Sequence, residues 1–318
     1  MQEINIPELL KIRAIRENYF PPKDNIVFTI EEKNIGSLQN YVTFAGLPKT
    51  GKSTFIAALI STIFFPGDLW SMKLKLPEGR KKAVYFDTES ADVEFYNQAE
   101  KIKKFAGISG FSDRLQMYQV REDSPSTIRK MIHHICETEP DVSVIVIDGL
   151  LDLCINYNDE RETRLLTNWL KMITKKYNIL IISVIHLGKK DGETLGHLGS
   201  NSDRWAQSTL TITKDKVNKT FVLESKFLRS AEDINPIIVQ NIGGYWQSVS
   251  GLSDISEQTE TALLNTILDK EKTYKQLVEA IMKQNNRGMN YAKNLIKKWI
   301  EQERIEKTKT GYIIKNFF

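Results

Sequence analysis

The chain has 318 residues, 41% hydrophobic and 26% charged, a balance that excludes wholesale disorder and collagen-like repetition. Its two cysteines exclude a disulfide framework or a cysteine-rich zinc domain and fit a reducing cytosol; its longest apolar run, 55–65, is far short of the roughly 20 residues a membrane helix needs. The net charge of +4 is uneven: from 261 onward twelve Lys or Arg stand against six Asp or Glu, while the rest of the chain is slightly acidic.

The first residues lack the basic start and apolar block of a signal peptide, so a cytoplasmic protein with no membrane partner is expected. Residues 1–36 read as an N-terminal arm, with a short helix over 7–17, a stop at Pro21-Pro22 and a strand over 26–30. From 37 to 249 strand-like and helix-like segments alternate, the pattern of an α/β fold with a mainly parallel sheet. Strands are expected at 41–45, 83–86, 115–119, 143–147 and 179–185, and helices near 52–65, 90–106, 125–137 and 160–177. Segments 210–213 and 221–225 flank a polar turn and read as a hairpin. Small polar residues mark a linker at 250–258. Apolar residues at i, i+3, i+4 then predict helices over 261–268, 274–282 and 291–300, followed by two short strands around Gly311. Three helices and a hairpin make 259–318 a candidate winged helix.

The strongest motif is Gly46-Leu47-Pro48-Lys49-Thr50-Gly51-Lys52-Ser53, with an apolar strand before it and an apolar helix, beginning at Thr54, after it. Its glycines let the backbone curl so that successive N–H groups face one anion at a helix N-terminus. Lys52 is placed to reach the β- and γ-phosphates of ATP, and the Ser53 hydroxyl to join a Mg²⁺ shell. The apolar run 144–147 ends in Asp148, the second candidate metal residue. Residues 84–86 end in Asp87-Thr88-Glu89, where Glu89 is the candidate activator of an attacking water and Asp87 the competitor. His186 ends the strand at 179–185 and could sense the terminal phosphate.

This layout resembles the RecA-like P-loop ATPases, and within them the hexameric replicative helicases of RepA and DnaB type. The resemblance covers about 37–249 and rests on Ile35-Gly36-Ser37-Leu38, the Gly46–Ser53 loop, the Phe86–Glu89 and Ile147-Asp148 strand ends, and Ile185-His186. It implies Glu89 as the catalytic carboxylate and His186 as the coupler of nucleotide state to DNA. It also implies a cationic finger given to the neighbouring subunit's nucleotide, for which Lys226 and Arg229 are the best match, one residue wider than the family's spacing. Lys189 and Lys190, in the Gly-rich stretch 187–199, would line a central channel for single-stranded DNA; an ordinary surface loop is the other reading. The lack of a primase segment or large collar favours the compact RepA type.

In the winged-helix-like segment, Arg287, Asn290, Lys293, Asn294, Lys297 and Lys298 populate the polar side of the third helix, and Lys307 and Lys309 the hairpin. Contact with duplex DNA or docking of a protein are both open for this module. The expected activity is therefore hydrolysis of ATP with Mg²⁺ by a homo-oligomer, a hexamer on the family pattern, moving on DNA in replication, with a loading or initiator protein as partner. A recombinase or regulatory ATPase of RecA or KaiC kind, and a nucleotide-switched DNA-binding regulator, are the alternatives.

Overall fold

A computed structural model describes residues 5–14, 25–187, 196–215, 218–242, 244–249, 264, 267–268, 270–285, 293, 296–297, 299–300, 304–308 and 310–314. The chain divides into two compact units, Met1–Ser248 and Val249–Phe318.

The first unit opens with α1 (Ile6–Arg13), β1 (Ile26–Ile30), β2 (Lys33–Ser37) and β3 (Tyr41–Gly46). Then come α2 (Lys52–Ser61), β4 (Met72–Leu74), β5 (Lys82–Asp87), α3 (Asp92–Ala106), β6 (Leu115–Gln119), α4 (Pro125–Thr138) and β7 (Val142–Asp148). The rest is α5 (Glu160–Tyr177), β8 (Leu180–His186), α6 (Gly196–Trp205), β9 (Ser208–Asp215), β10 (Thr220–Leu228), β11 (Ile237–Ile242) and β12 (Tyr245–Ser248). Nine strands form one sheet in the order β12-β11-β10-β9-β3-β8-β7-β5-β6. From β9 to β6 every pairing is parallel; β10, β11 and β12 continue the sheet antiparallel.

The parallel strands are apolar on both faces because both faces are covered. Along β7, Val144 and Val146 join one core cluster while Val142, Ile145 and Ile147 join the other. The first cluster holds α2, Ile102 of α3 and the small sheet β2-β1-β4; the second holds α4, α5 and Leu198 of α6. α2 is apolar all round, with Phe55, Ile56, Leu59 and Ile60 completely buried, as a helix fixed inside a domain must be. Each such side chain contributes about 1.5–3 kcal/mol of burial free energy.

Three expectations are corrected. Residues 25–36 are not part of a separate arm: β1 and β2 pair with each other and β1 with β4, and Phe28, Ile30 and Ile35 are fully buried in the core. The expected helix over 7–17 is α1, ending at Arg13, and residues 15–24 lie outside the described residues. The irregular stretch expected over 187–199 gives way at 196 to α6, which packs on α5. The hairpin is β9–β10, and the sheet runs on through β11 and β12 to Ser248.

In the second unit, residues 264 and 267 are helical, α7 spans Tyr274–Asn285, residues 293, 296–297 and 299–300 are helical, and β13 (Ile305–Lys307) pairs antiparallel with β14 (Tyr312–Ile314). Leu264, Leu277, Ile281, Ile296 and Trp299 share one core. Ile313 is only half-buried.

Candidate functional site

The register of the central sheet gathers the site. Gly46 at the end of β3 pairs with His186 at the end of β8, and Asp87 at the end of β5 pairs with Asp148 at the end of β7. The ends of β5, β7 and β8 and the loop before α2 thus meet at one sheet edge.

The loop curls tightly. Gly51 sits at φ 88° and Lys49 at φ 64°, both left-handed, the alternation that turns consecutive backbone amides toward one point. The amides of Lys49, Thr50 and Gly51 make no hydrogen bond within the described residues. A Cβ on Gly46 would lie 2.6 Å from the Ile212 carbonyl oxygen, so only glycine fits where β3 enters the loop. Leu47, Pro48 and Lys49 form the exposed tip; Thr50 is buried and donates to the Leu47 carbonyl at 2.7 Å; Ser53 and Thr54 lie in the first turn of α2.

Lys52 is 7% exposed and folds back over this loop, donating to the carbonyls of Gly46 (3.0 Å) and Leu47 (2.9 Å). Its Nζ lies 3.2 Å from His186 Nδ1, and His186 Nε2 lies 2.9 Å from Glu89 Oε1. A continuous chain Lys52–His186–Glu89 therefore crosses the sheet edge. Burial lowers the Lys52 pKa, opposed by the charges of Glu89 and Asp148. Asp87 spends Oδ1 on the amides of Glu89 (3.1 Å) and Ser90 (2.8 Å), which leaves Glu89 as the carboxylate that projects onto His186.

Asp148 is buried, and burial first, then the nearby Asp87 and Glu89, push its pKa up to about 6 against the hydrogen bonds from Tyr85 and Ser53. The Tyr85 hydroxyl, itself fully buried, donates to Asp148 Oδ2 at 2.5 Å. Among the described residues no cluster of three or more His, Cys, Asp or Glu could cage a metal. The Ser53 hydroxyl and the Asp148 carboxylate are instead a sparse, hard oxygen set, the kind that suits Mg²⁺ shared with phosphate oxygens and water.

Several residues of this edge carry no sequence signal. Tyr85 reads as an ordinary strand residue, and Gln98, which donates to the Ser53 carbonyl at 2.7 Å, as an ordinary helix residue. Thr88 donates to Asp152 Oδ2 at 2.6 Å and sits 3.0 Å from the carbonyls of Asp148 and Gly149, tying the β5 and β7 strand ends together. Gly149 has φ 113°, and a Cβ there would collide with the Thr88 hydroxyl.

Lys226 and Arg229 are not brought to this edge. They lie where β10 runs past the start of β9, beside Ser208 and Thr209, and Ser208 pairs with Val42 near the beginning of β3. Lys226 pairs with Asp203 of α6 at 3.0 Å. Arg229 donates to the carbonyls of Ala206 (3.0 Å) and Arg204. In the second unit Lys293, Lys297 and Lys307 are exposed. Lys189, Lys190, Arg287, Asn290, Asn294, Lys298 and Lys309 lie outside the described residues.

A parallel sheet with a glycine-cornered loop running into a buried helix, and acidic strand ends beside it, defines a P-loop nucleoside triphosphatase. More particularly, the family model for the AAA domain matches residues 33–192, half of the chain, and the chain belongs to that family. No curated protein matches it at a significant level. The family makes this an ATPase-class domain that binds nucleotide, usually with Mg²⁺. Among the described residues no helix is long and apolar enough to cross a membrane.

Proposed function

We propose that the protein is an ATP-hydrolysing motor that acts on DNA as a ring of identical subunits, in the manner of the compact replicative helicases. The observation that carries this reading is the Lys52–His186–Glu89 chain, which joins a phosphate-binding lysine to a candidate base through a single strand-end side chain. In this reading the loop amides and Lys52 bind the phosphates. Ser53 and Asp148 hold Mg²⁺, which supplies neutralisation of the phosphate charge. Glu89 accepts the proton of the attacking water while the γ-phosphorus gains its oxygen and the bond to the β-phosphate oxygen breaks, giving ADP and phosphate. When Lys52 turns to the phosphates it leaves His186, and His186 passes that change to Glu89 and to the chain beyond β8.

The DNA part rests on the sequence resemblance and on the basic second unit, whose exposed Lys293, Lys297 and Lys307 suit phosphate contact. We read that unit as a winged helix binding duplex DNA, with Lys189 and Lys190 on single-stranded DNA in the channel. The test is direct: particle images of the full chain with an ATP analogue and single-stranded DNA, together with unwinding of a forked duplex. Closed rings with ATP-dependent unwinding support the motor. Filaments, or rings that hydrolyse ATP without unwinding, transfer the reading to a recombinase or regulatory ATPase.

A further inference from the structure

Behind the phosphate loop, α3 packs on α2 and brings two polar side chains, Gln98 and Lys101, against its first turn. They stand three positions apart, one above the other on the same face of α3. Gln98 is 5% exposed and Lys101 is half-buried. A lysine drawn in from solvent is ordinarily held by a carboxylate. Among the described residues none pairs with Lys101, which donates instead to Thr54 Oγ1 at 3.3 Å and to Gln98 Oε1 at 3.4 Å. Burial lowers its pKa, and the charge that opposes this is that of Asp148.

These contacts have a direction. An ammonium only donates and a carbonyl only accepts, so Gln98 turns its oxygen to Lys101 and its amide hydrogens away. The amide nitrogen then donates to the Ser53 carbonyl at 2.7 Å and acts as a donor on the Tyr85 hydroxyl. Burial first, then the charges of Asp148 and Asp87, raise the Tyr85 pKa well above its ordinary value. That hydroxyl therefore keeps its proton and donates it to Asp148 Oδ2. The Ser53 hydroxyl donates to the same carboxylate. A one-way chain thus leads from Lys101 to Gln98, and there it branches to the Ser53 backbone and, through Tyr85, to Asp148. With the Gln98 amide reversed, its hydrogens would face the ammonium and its oxygen the Ser53 carbonyl, two repulsive contacts in place of two bonds.

We infer that Lys101 is a positioning residue for the metal and nucleotide site: by fixing the Gln98 amide it sets the backbone that carries Ser53 and, through Tyr85, the carboxylate of Asp148. The inference rests on the nucleotide-hydrolysing reading, in which Ser53 and Asp148 hold Mg²⁺, and adds to it the source of their orientation. Outer partners of this kind govern metal affinity through the ligands they hold.

The experiment measures ATP binding to the full-length protein by calorimetry, once with excess Mg²⁺ and once in EDTA, and the Mn²⁺–ATP complex by electron paramagnetic resonance. The readout is the ratio of the two ATP affinities, because loosened packing would lower both together. Wild type should bind ATP more tightly with Mg²⁺. Gln98→Met should lower the ratio by about tenfold and Lys101→Met by about fivefold, with the Mn²⁺ signal weakened in the same order. In the double variant Lys101→Met should add nothing to Gln98→Met, because the lysine acts through the amide. Additive losses would overturn the route through Gln98. An unchanged ratio in Lys101→Met, folded by circular dichroism, would overturn the positioning role while the phosphate site stands. If Lys101→Met does not fold, Lys101→Gln puts the same question, since its neutral amide no longer dictates which way Gln98 turns; an unchanged ratio there overturns the role equally. If wild type binds no ATP under either condition, the nucleotide reading falls and takes the inference with it.

Discussion

At the loop edge of the central sheet, Lys52, His186 and Glu89 hold one another through contacts of 2.9–3.2 Å. At the opposite edge Lys226 is locked on Asp203, with both side chains largely buried, and Arg229 is spent on the backbone carbonyls that end α6. The same residue types thus do different work. A lysine whose partners are backbone carbonyls of the phosphate loop and a strand-end histidine stands where it can exchange them for a phosphate. Cations that satisfy helix-terminal carbonyls and a largely buried carboxylate hold the fold, because releasing them would strand those groups. Cationic side chains therefore need to be read with their acceptors before a catalytic role is given to them.

The comparison is broken most sharply at Lys52. Lys52→Ala should abolish ATP turnover and sharply weaken nucleotide binding, measured by phosphate release and calorimetry, with thermal stability little changed. Glu89→Gln should bind ATP as wild type does and lose turnover by on the order of 10²-fold or more. Normal hydrolysis in that variant would return the role to Asp87.

At the other edge the prediction inverts. Arg229→Ala should cost about 1–3 kcal/mol of stability by thermal or urea unfolding, since two carbonyls lose a charged donor. A variant that keeps its stability yet loses turnover, and regains it when mixed with Glu89→Gln protein, would show that Arg229 leaves α6 for a neighbouring subunit's nucleotide. That outcome would establish the trans-finger role the resemblance implies.

Smaller effects sharpen the picture. Tyr85→Phe removes the donor on Asp148 and should weaken the Mg²⁺-dependent part of ATP binding several-fold while sparing the Mg²⁺-independent part. Burial raises the Cys136 thiol from 9.0 to about 12 and the Cys154 thiol from 9.0 to about 11. The folded state therefore holds those protons longer than the unfolded chain. Their contribution to stability is complete below pH 9 and is lost as pH rises through 11–12. Both thiols should also react slowly with a disulfide reagent at pH 8 until the protein is unfolded.

The phosphate loop was legible in sequence because all of its geometry lies within eight consecutive residues between two apolar elements. The strands β3, β5, β7 and β8 were legible as apolar runs for the same local reason. What failed to show is built from distant partners. β2 (KNIGS) and β4 (MKL) are too short and polar to announce strands, and β1 becomes part of the core only through pairing with both. α6 (GHLGSNSDRW) has poor helix formers and no apolar stripe, and its order comes from packing on α5. The Tyr85–Asp148 bond spans 63 positions and the His186–Glu89 bond 97, separations at which sequence spacing carries no information. The acceptors of Lys226 and Arg229, Asp203 and the end of α6, belong to a helix the sequence did not reveal.

Gly149 has no side chain to offer a ligand, yet it stands where the β5 and β7 strand ends are closest, with Thr88, Asp152 and Glu89 crowded around the place a Cβ would occupy. Its left-handed backbone and that crowding act together, so neither a replacement as small as alanine nor a neighbour's movement relieves both. In a saturation library scored for function, position 149 should accept glycine alone. A surface position a few residues further on, Ile155, 87% exposed, should accept almost anything. Intolerance at a residue of this kind would mark an architectural choke point, and a map of substitutions would have to be read with that in mind before silence at a position is taken for contact with substrate.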